Sequence, residues 1–406
     1  MHTSINDLDL YHLPWETPEF AADPYPFLEA ARAHHPWLAK SNAGFVVFEL
    51  RAIRELLVRD DQMRTSFDGI ADIMQARGTP WGRFIEEQMI ALPDDEHKVL
   101  RTALATKFTP RYANQLRGIM GDVMDRLLDE WAGKSTFDFE EFASYYPVAV
   151  LNRMVGASPE SLKPIRSSLE AMGLSMSLDA ALVPQLDAAM GTLDAFAADL
   201  VAKRVALSGA EREPDLLDLI INAGEESDIA QRRLLDLIIF LYVAGYDTSK
   251  NVLTYMMHLM LRNPEIYGRC ADDLDYCQKV VEETLRLFNP SSTFRATRED
   301  IVYRDVLIPR ETMMFFTLSV AGRDPAEFGD PHAFVPERTV PRESRHVAFG
   351  LGKHMCLGQH IARVQLQEGI HRIAKRWHFP KSAGEPCWRP FPGVWGIKAL
   401  PISISP

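Results

Sequence analysis

The decapeptide FGLGKHMCLG, Phe349–Gly358, sets one of the chain's four cysteines among three glycines. The next residues, LGQHIARVQLQEGIHRIAKRW, repeat Leu357, Ile361, Val364 and Ile373 at helical spacing. Cys356 is therefore expected at or near the head of a helix. Free backbone N–H groups and the positive end of the helix dipole favour a thiolate there. Gly350, Gly352 and Gly358 allow tight turns and a close approach to something flat or bulky. A thiolate held this way is a nucleophile, a redox sensor or a metal ligand, whereas most isolated buried cysteines are simply structural. Zinc fits poorly, because Cys356 and His360 give one helix turn with no second cysteine pair nearby. A nucleophile needs a base, and His354 serves only if the loop folds back.

The whole chain narrows the choice of class. Its 406 residues carry a net charge of −12, which argues against nucleic acid as a partner. The longest apolar stretch, LLDLIIFLYVAG, contains Asp236 and is too short to span a bilayer. The opening MHTSINDLDLYHLPWETPEF is acidic and contains proline, unlike a signal peptide or anchor. Cys270, Cys277, Cys356 and Cys387 form no disulfide framework, so a reducing, cytoplasmic setting is expected. Without repeats, low-complexity tracts or linkers, residues 1–406 read as a single domain with no fused reductase and no membrane anchor. Helical periodicity dominates in RAIRELLVRD, NQLRGIMGDVMDRLLDEW, TLDAFAADLVAKRVAL, RRLLDLIIFLYVAG, NVLTYMMHLMLRN and CQKVVEETLRLF. Strands are expected in a hairpin around 42–44, as a pair within IVYRDVLIPRETMMFFTL, and at most as an edge hairpin in the proline-rich tail. The fold class is mostly α with a minor β region.

Phe349-Gly350-x-Gly352-x-His354-x-Cys356-x-Gly358 matches, at every defined position, the haem-binding signature of the cytochrome P-450 monooxygenases, and the chain resembles that family along nearly its whole length. The resemblance implies the P-450 fold, haem b (iron protoporphyrin IX) as cofactor, and the Cys356 thiolate as axial ligand of the iron. Phe349, Gly350, His354 and Gly358 would then border the cofactor. Glu283 and Arg286, three apart on one helical face, resemble the family's Glu-x-x-Arg helix. Phe334-x-Pro336-x-Arg338 resembles the segment whose arginine joins that pair, a role in folding and haem retention.

In FLYVAGYDTSKNVL, Gly245 costs a helix about 1 kcal/mol against alanine, and Thr248 can bond back to the carbonyl of Ala244. Ala244-Gly245-x-Asp247-Thr248 resembles the family's oxygen-activation motif. There a widened turn makes room for O2, the alcohol holds it, and the acid feeds protons through water. His97, Arg101, Arg295 and His354 fall where the family's haem-propionate partners fall. The main departure is NPSSTF, where many members carry two prolines and a hydrophobe.

A separate ferredoxin-type electron donor with its reductase is implied, since no flavin or iron–sulfur segment is present. Lys98, Arg101, Lys107, Arg111 and Arg117 form one basic run. Arg342, Arg345, Lys353, Arg363, Arg372, Lys375 and Arg376 form another, against Glu343 and Glu368. Both read as an ordinary solvated face or as a dock for an acidic donor. By analogy, the substrate pocket draws on the stretch from Phe67 to Leu92, on LEAMGLSMSLDAALVPQL, on Phe240, Val243 and Ala244, on Ser291, Thr293 and Phe294, and on Val394 and Trp395. These segments are rich in Met, Leu, Ala and Phe with no cationic cluster, which points to a small to medium apolar substrate, oxidised by a monomeric enzyme away from nucleic acid and membrane. A haem-thiolate peroxygenase and a non-enzymatic gas or redox sensor are the alternatives. The Asp247–Thr248 pair argues against both.

Overall fold

The apolar segments 232–245 and 251–263 join into one helix, Gln231–Met260, of 30 residues, about 45 Å long at 1.5 Å per residue. From Asp236 onward almost every face of this central helix is buried, as expected for a helix apolar all round. In this computed structural model, which describes residues 2–207, 215–226 and 231–404, it packs on Phe139–Val155, Leu162–Gly173, Val183–Ala206 and Gln359–Arg376. The other helices expected from periodicity fall at Leu50–Leu57, Arg117–Trp131 and Leu274–Leu287.

The sheets are small and lie beside the helices. The largest has five strands, in the order Leu38–Ser41, Gly44–Val47, Met313–Phe316, Thr293–Thr297 and Met63–Arg64. Its first two strands form the expected hairpin, and the second pairs in parallel with Met313–Phe316, Val46 opposite Phe315. The segment expected to hold two strands holds three. Ile301–Tyr303 and Val306–Ile308 make a hairpin in a separate sheet, while Met313–Phe316 joins the large one. The tail is more ordered than its prolines suggest, with strands Lys381–Ser382, Cys387–Trp388, Ile397–Ala399 and Pro401–Ser403. Trp37, Leu38, Val47, Tyr303, Ile308 and Phe316 close a core on the sheet side, apart from the main helical core. Among the described residues no helix is long and apolar enough to cross a membrane.

Candidate active site

Helix Gln359–Arg376 begins at Gly358, two residues after Cys356. The Cys356 N–H donates to the Phe349 carbonyl at 2.7 Å, which closes the loop. Gly350 and Gly352 have φ of 69° and 71°, a region that only glycine enters cheaply. Gly352 has a second reason: a Cβ there would come within 2.5 Å of an Asp60 carboxylate oxygen, and that oxygen accepts from Lys353 N. Gly358, by contrast, has an ordinary φ of −77°. It turns nothing, and a Cβ there would sit 4.0 Å from the Cys356 sulfur.

Burial pushes the Cys356 thiol above its ordinary pKa, and the opposing pull of the Gly358 and Gln359 N–H groups, Arg101 and Arg363 does not compensate. The side chain nevertheless presents open surface. It lies deep in the fold yet keeps exposed surface. Among the described residues no group of three or more His, Cys, Asp or Glu could hold a metal ion, which removes the zinc reading.

Four basic groups gather beside this loop. The His97 and His354 rings stand 4.5 Å apart, with His97 Nε2 and His354 Nδ1 buried and lacking hydrogen-bond partners. Burial, then the positive field of Arg295 and His97, brings His354 down to about 3. Arg295 is brought down to about 10 by burial; it donates to Thr293 Oγ1 (2.9 Å) and the Phe294 carbonyl (2.7 Å). Arg101 donates to the Met355 carbonyl at 2.6 Å. Among the described residues none of these four pairs with a carboxylate, which for the buried Arg295 guanidinium is a costly arrangement.

On the central helix, Thr248 Oγ1 donates to the Ala244 carbonyl at 2.8 Å, and the helix continues unbroken. Ala244 is exposed, and its neighbours Phe240, Val243 and Thr248 are only half-buried, so this face of the helix is the open one. Gly245 has a packing reason, since a Cβ there would meet Leu151 at 3.1 Å. Asp247 points elsewhere. It is 1% exposed, and its oxygens meet Arg389 Nη1 at 2.6 Å and Lys250 Nζ at 2.8 Å. Glu140 completes the group, 2.7 Å from Lys250 and 3.3 Å from Arg389. A Cβ on Gly173 would overlap the Asp247 carboxylate, so glycine there makes room for this ion group. Sequence reading missed Glu140, Lys250, Arg389 and Gly173. The one available signal was Lys250, a lone cation three residues after Asp247 in an apolar run.

The Glu283–Arg286 pair is buried and bidentate, both contacts 2.8 Å. Arg338 Nε adds a third bond to Glu283 at 3.2 Å and Val335 N a fourth at 3.0 Å. Arg286 also donates to the carbonyls of Gly322, Pro331 and Ala333, stapling distant segments together.

The basic runs are less positive than their residue count. Lys353 pairs with Asp94, Arg363 with Glu282, Arg117 with Glu368, Arg372 with Asp125 and Arg376 with Asp129. Lys98 and Arg111 remain exposed. Arg363 also lies over the Phe349 ring at 4.3 Å.

Several expected pocket segments converge. Ser291 bridges to Val394, and Gly393 approaches the Met176–Ser177 backbone. Phe240 and Val243 are half-buried on the central helix. Strand alternation puts Thr293 on the same side as Arg295 and Phe294 on the other, where it packs edge-on to Phe67 at 4.9 Å. Met172 is core at 1% exposure. Trp395 turns away from Val394 and lines a different cleft.

Residues 39–397 match the family model for cytochrome P450. The chain is 29% identical over 410 residues to luteothin monooxygenase of Streptomyces thioluteus, covering 100% of this chain and 98% of that protein. It is 30% identical over 322 residues to cytochrome P450 107B1 of Saccharopolyspora erythraea, covering 77% and 76%. Among solved structures, P450BioI in complex with an acyl-carrier protein superimposes with a TM-score of 0.85 at 22% identity, over 95% of this chain and 100% of that one. Epothilone B-bound P450epoK also gives 0.85 at 22% identity, over 97% and 99%. The chain belongs to the cytochrome P450 family: it is an oxygen-incorporating oxidoreductase, and its cofactor is haem b.

The residues present fit that group. A flat dianion bearing two propionates answers the partnerless His97 and His354 nitrogens and the unpaired Arg101 and Arg295. An exposed sulfur cleared by Gly358 is free to meet iron.

Proposed function

We propose that the chain is a haem-thiolate monooxygenase that hydroxylates or epoxidises a small to medium apolar organic molecule. The observation that carries this reading is the Cys356 sulfur, which draws backbone N–H groups from Gly358 and Gln359 and keeps open surface beside four basic groups that no carboxylate pairs. Bound haem iron supplies the activation of O2, one atom passing to the substrate and the other leaving as water with two electrons and two protons.

The protein's own residues do the rest. Cys356 would hold the iron through its sulfur, and the metal's charge would offset the burial that raises the thiol pKa. His97, Arg101, Arg295 and His354 would anchor the propionates. Phe349, Gly350 and Gly358 would border the haem from the cysteine loop, and Ala244 would border it from the central helix. The Thr248 hydroxyl donates its hydrogen bond to the Ala244 carbonyl, which leaves its oxygen free to accept one. Asp247 delivers protons only after Arg389 or Lys250 releases one of its oxygens. Phe240, Val243, Ala244, Ser291 and Thr293 line the substrate side, whereas Phe294 supports it from behind. The electrons come from a separate ferredoxin-type donor. The apolar composition of the candidate pocket segments supports an apolar substrate, and the likeness to luteothin monooxygenase supports the reaction class.

The deciding experiment is the spectrum of the reduced, carbon monoxide-bound protein. Thiolate ligation gives a strongly red-shifted band, and Cys356→His should abolish that shift. A globin-like band in the unaltered protein would overturn the assignment.

A further inference from the structure

A second cleft, of about 650 Å³, opens between the segment 22–26, the C-terminal part of the central helix and the tail around Trp388. It shares no residue with the group around Cys356. Its volume lies in the range of small-molecule sites. One wall is the pair Trp388 and Trp395, stacked at 5.3 Å and 23°, and Tyr25 and Tyr255 also line it.

Arg323 lies at its buried end. Its Nε donates to the Leu287 carbonyl at 3.0 Å and its Nη2 to the Tyr255 hydroxyl, and the guanidinium sits 4.6 Å from the Tyr25 ring centre. Among the described residues it forms no ion pair. The Tyr25 hydroxyl is buried with no hydrogen-bond partner. Burial holds that phenol well above its ordinary pKa, so it is a standing donor.

Of the other charges facing the cleft, Asp23 acts on Arg323 and Tyr25 from a distance, without an ion pair. Asp23, Glu29, Glu385, Arg262 and His332 are exposed, where water and salt screen them. His258 is buried but uncharged at neutral pH, held at about 4 by burial and then by Arg262 and Arg323. A desolvated guanidinium and an unused phenol proton, set against stacked indoles, suit one kind of ligand: a flat aromatic ring bearing one carboxylate.

We propose that this cleft is a second small-molecule site, separate from the haem pocket. It takes an aromatic monocarboxylate whose carboxylate meets Arg323 and the Tyr25 hydroxyl while its ring lies against Trp388.

The test titrates the holoenzyme with 2-naphthoate while 4-phenylimidazole saturates the haem iron, and follows tryptophan quenching and calorimetry. The acid should bind at least about tenfold more tightly than neutral 2-naphthamide, and Tyr25→Phe should weaken it by about three- to tenfold. Arg323→Gln should remove the preference for the acid. Since Arg323 also holds the Leu287 carbonyl, the acid-to-amide ratio in the unaltered protein and Tyr25→Phe decide the matter if that variant does not fold. Equal binding of acid and amide, no effect of Tyr25→Phe, or complete displacement by 4-phenylimidazole would each overturn the proposal.

Discussion

Arg389 and Asp247, 142 residues apart, meet through a 2.6 Å hydrogen bond inside the protein. With Lys250 and Glu140 they form a closed ring in which each carboxylate touches both cations. The ring is neutral overall, and removing one member leaves an uncompensated buried charge. Lys250→Met should therefore destabilise the fold by about 3–5 kcal/mol. The double variant Lys250→Met/Glu140→Gln, which removes one charge of each sign, should recover much of that loss. Denaturant melts of both singles and the double measure the coupling, and strict additivity would contradict the ring.

Thr248→Ala removes the hydroxyl at the cleft and leaves the buried ion ring intact. We expect electron consumption to continue while product falls and hydrogen peroxide rises. Peroxide per electron pair is the measurement; full coupling in the variant would take Thr248 out of the mechanism. Asp247→Asn should slow turnover itself, by about 10²-fold or more if it supplies protons.

Contiguous motifs are legible in the sequence, because the residues that act together lie within one helix or loop. The cysteine loop, Glu283–Arg286 and Ala244–Thr248 are of this kind. The ion ring is not, since it joins helix 139–155, the central helix and the tail. Nor is the parallel pairing of Val46 with Phe315, which depends on the whole chain's path. Alternation within Thr293–Thr297 could have separated Phe294 from Thr293, but only once the strand's extent was known.

Glu283 accepts four hydrogen bonds in a buried setting. Glu283→Gln keeps its size but strips Arg286 of a buried counter-charge. A loss of about 3–5 kcal/mol is expected, together with faster haem loss. The readouts are the melting temperature and haem transfer to apomyoglobin. An unchanged melting temperature would show that the carbonyl bonds of Arg286 suffice alone.

Acid should weaken the fold partly through His258. Burial, then Arg262 and Arg323, lowers its pKa from an ordinary 6.5 to about 4. The unfolded chain thus takes up this proton first as pH falls. The contribution is intact above about pH 6.5 and is lost progressively down to about pH 4, amounting to about 3 kcal/mol at most. His258→Gln should flatten the stability–pH curve over that window relative to the unaltered protein. Parallel curves would place the acid sensitivity elsewhere.

Charge reversal should separate the basic residues by their pairing. Arg111→Glu replaces an exposed cation and should slow reduction by an acidic ferredoxin, increasingly so at low ionic strength. Lys353→Glu should weaken donor contact less than a free lysine would, because Lys353 is already tied to Asp94 at 2.6 Å. Stopped-flow reduction at several salt concentrations makes the comparison, and rates indifferent to salt and to both variants would remove the dock.

The parallel pairing of Gly44–Val47 with Met313–Phe316 also bears on synthesis. The early hairpin leaves the ribosome long before its partner exists, at ~5–20 residues per second a delay of tens of seconds. Throughout that interval Phe45, Val46 and Val47 offer an unpaired apolar edge to any other nascent chain. High-level expression should therefore depend on chaperone supply and low temperature more than on the stability of the finished enzyme.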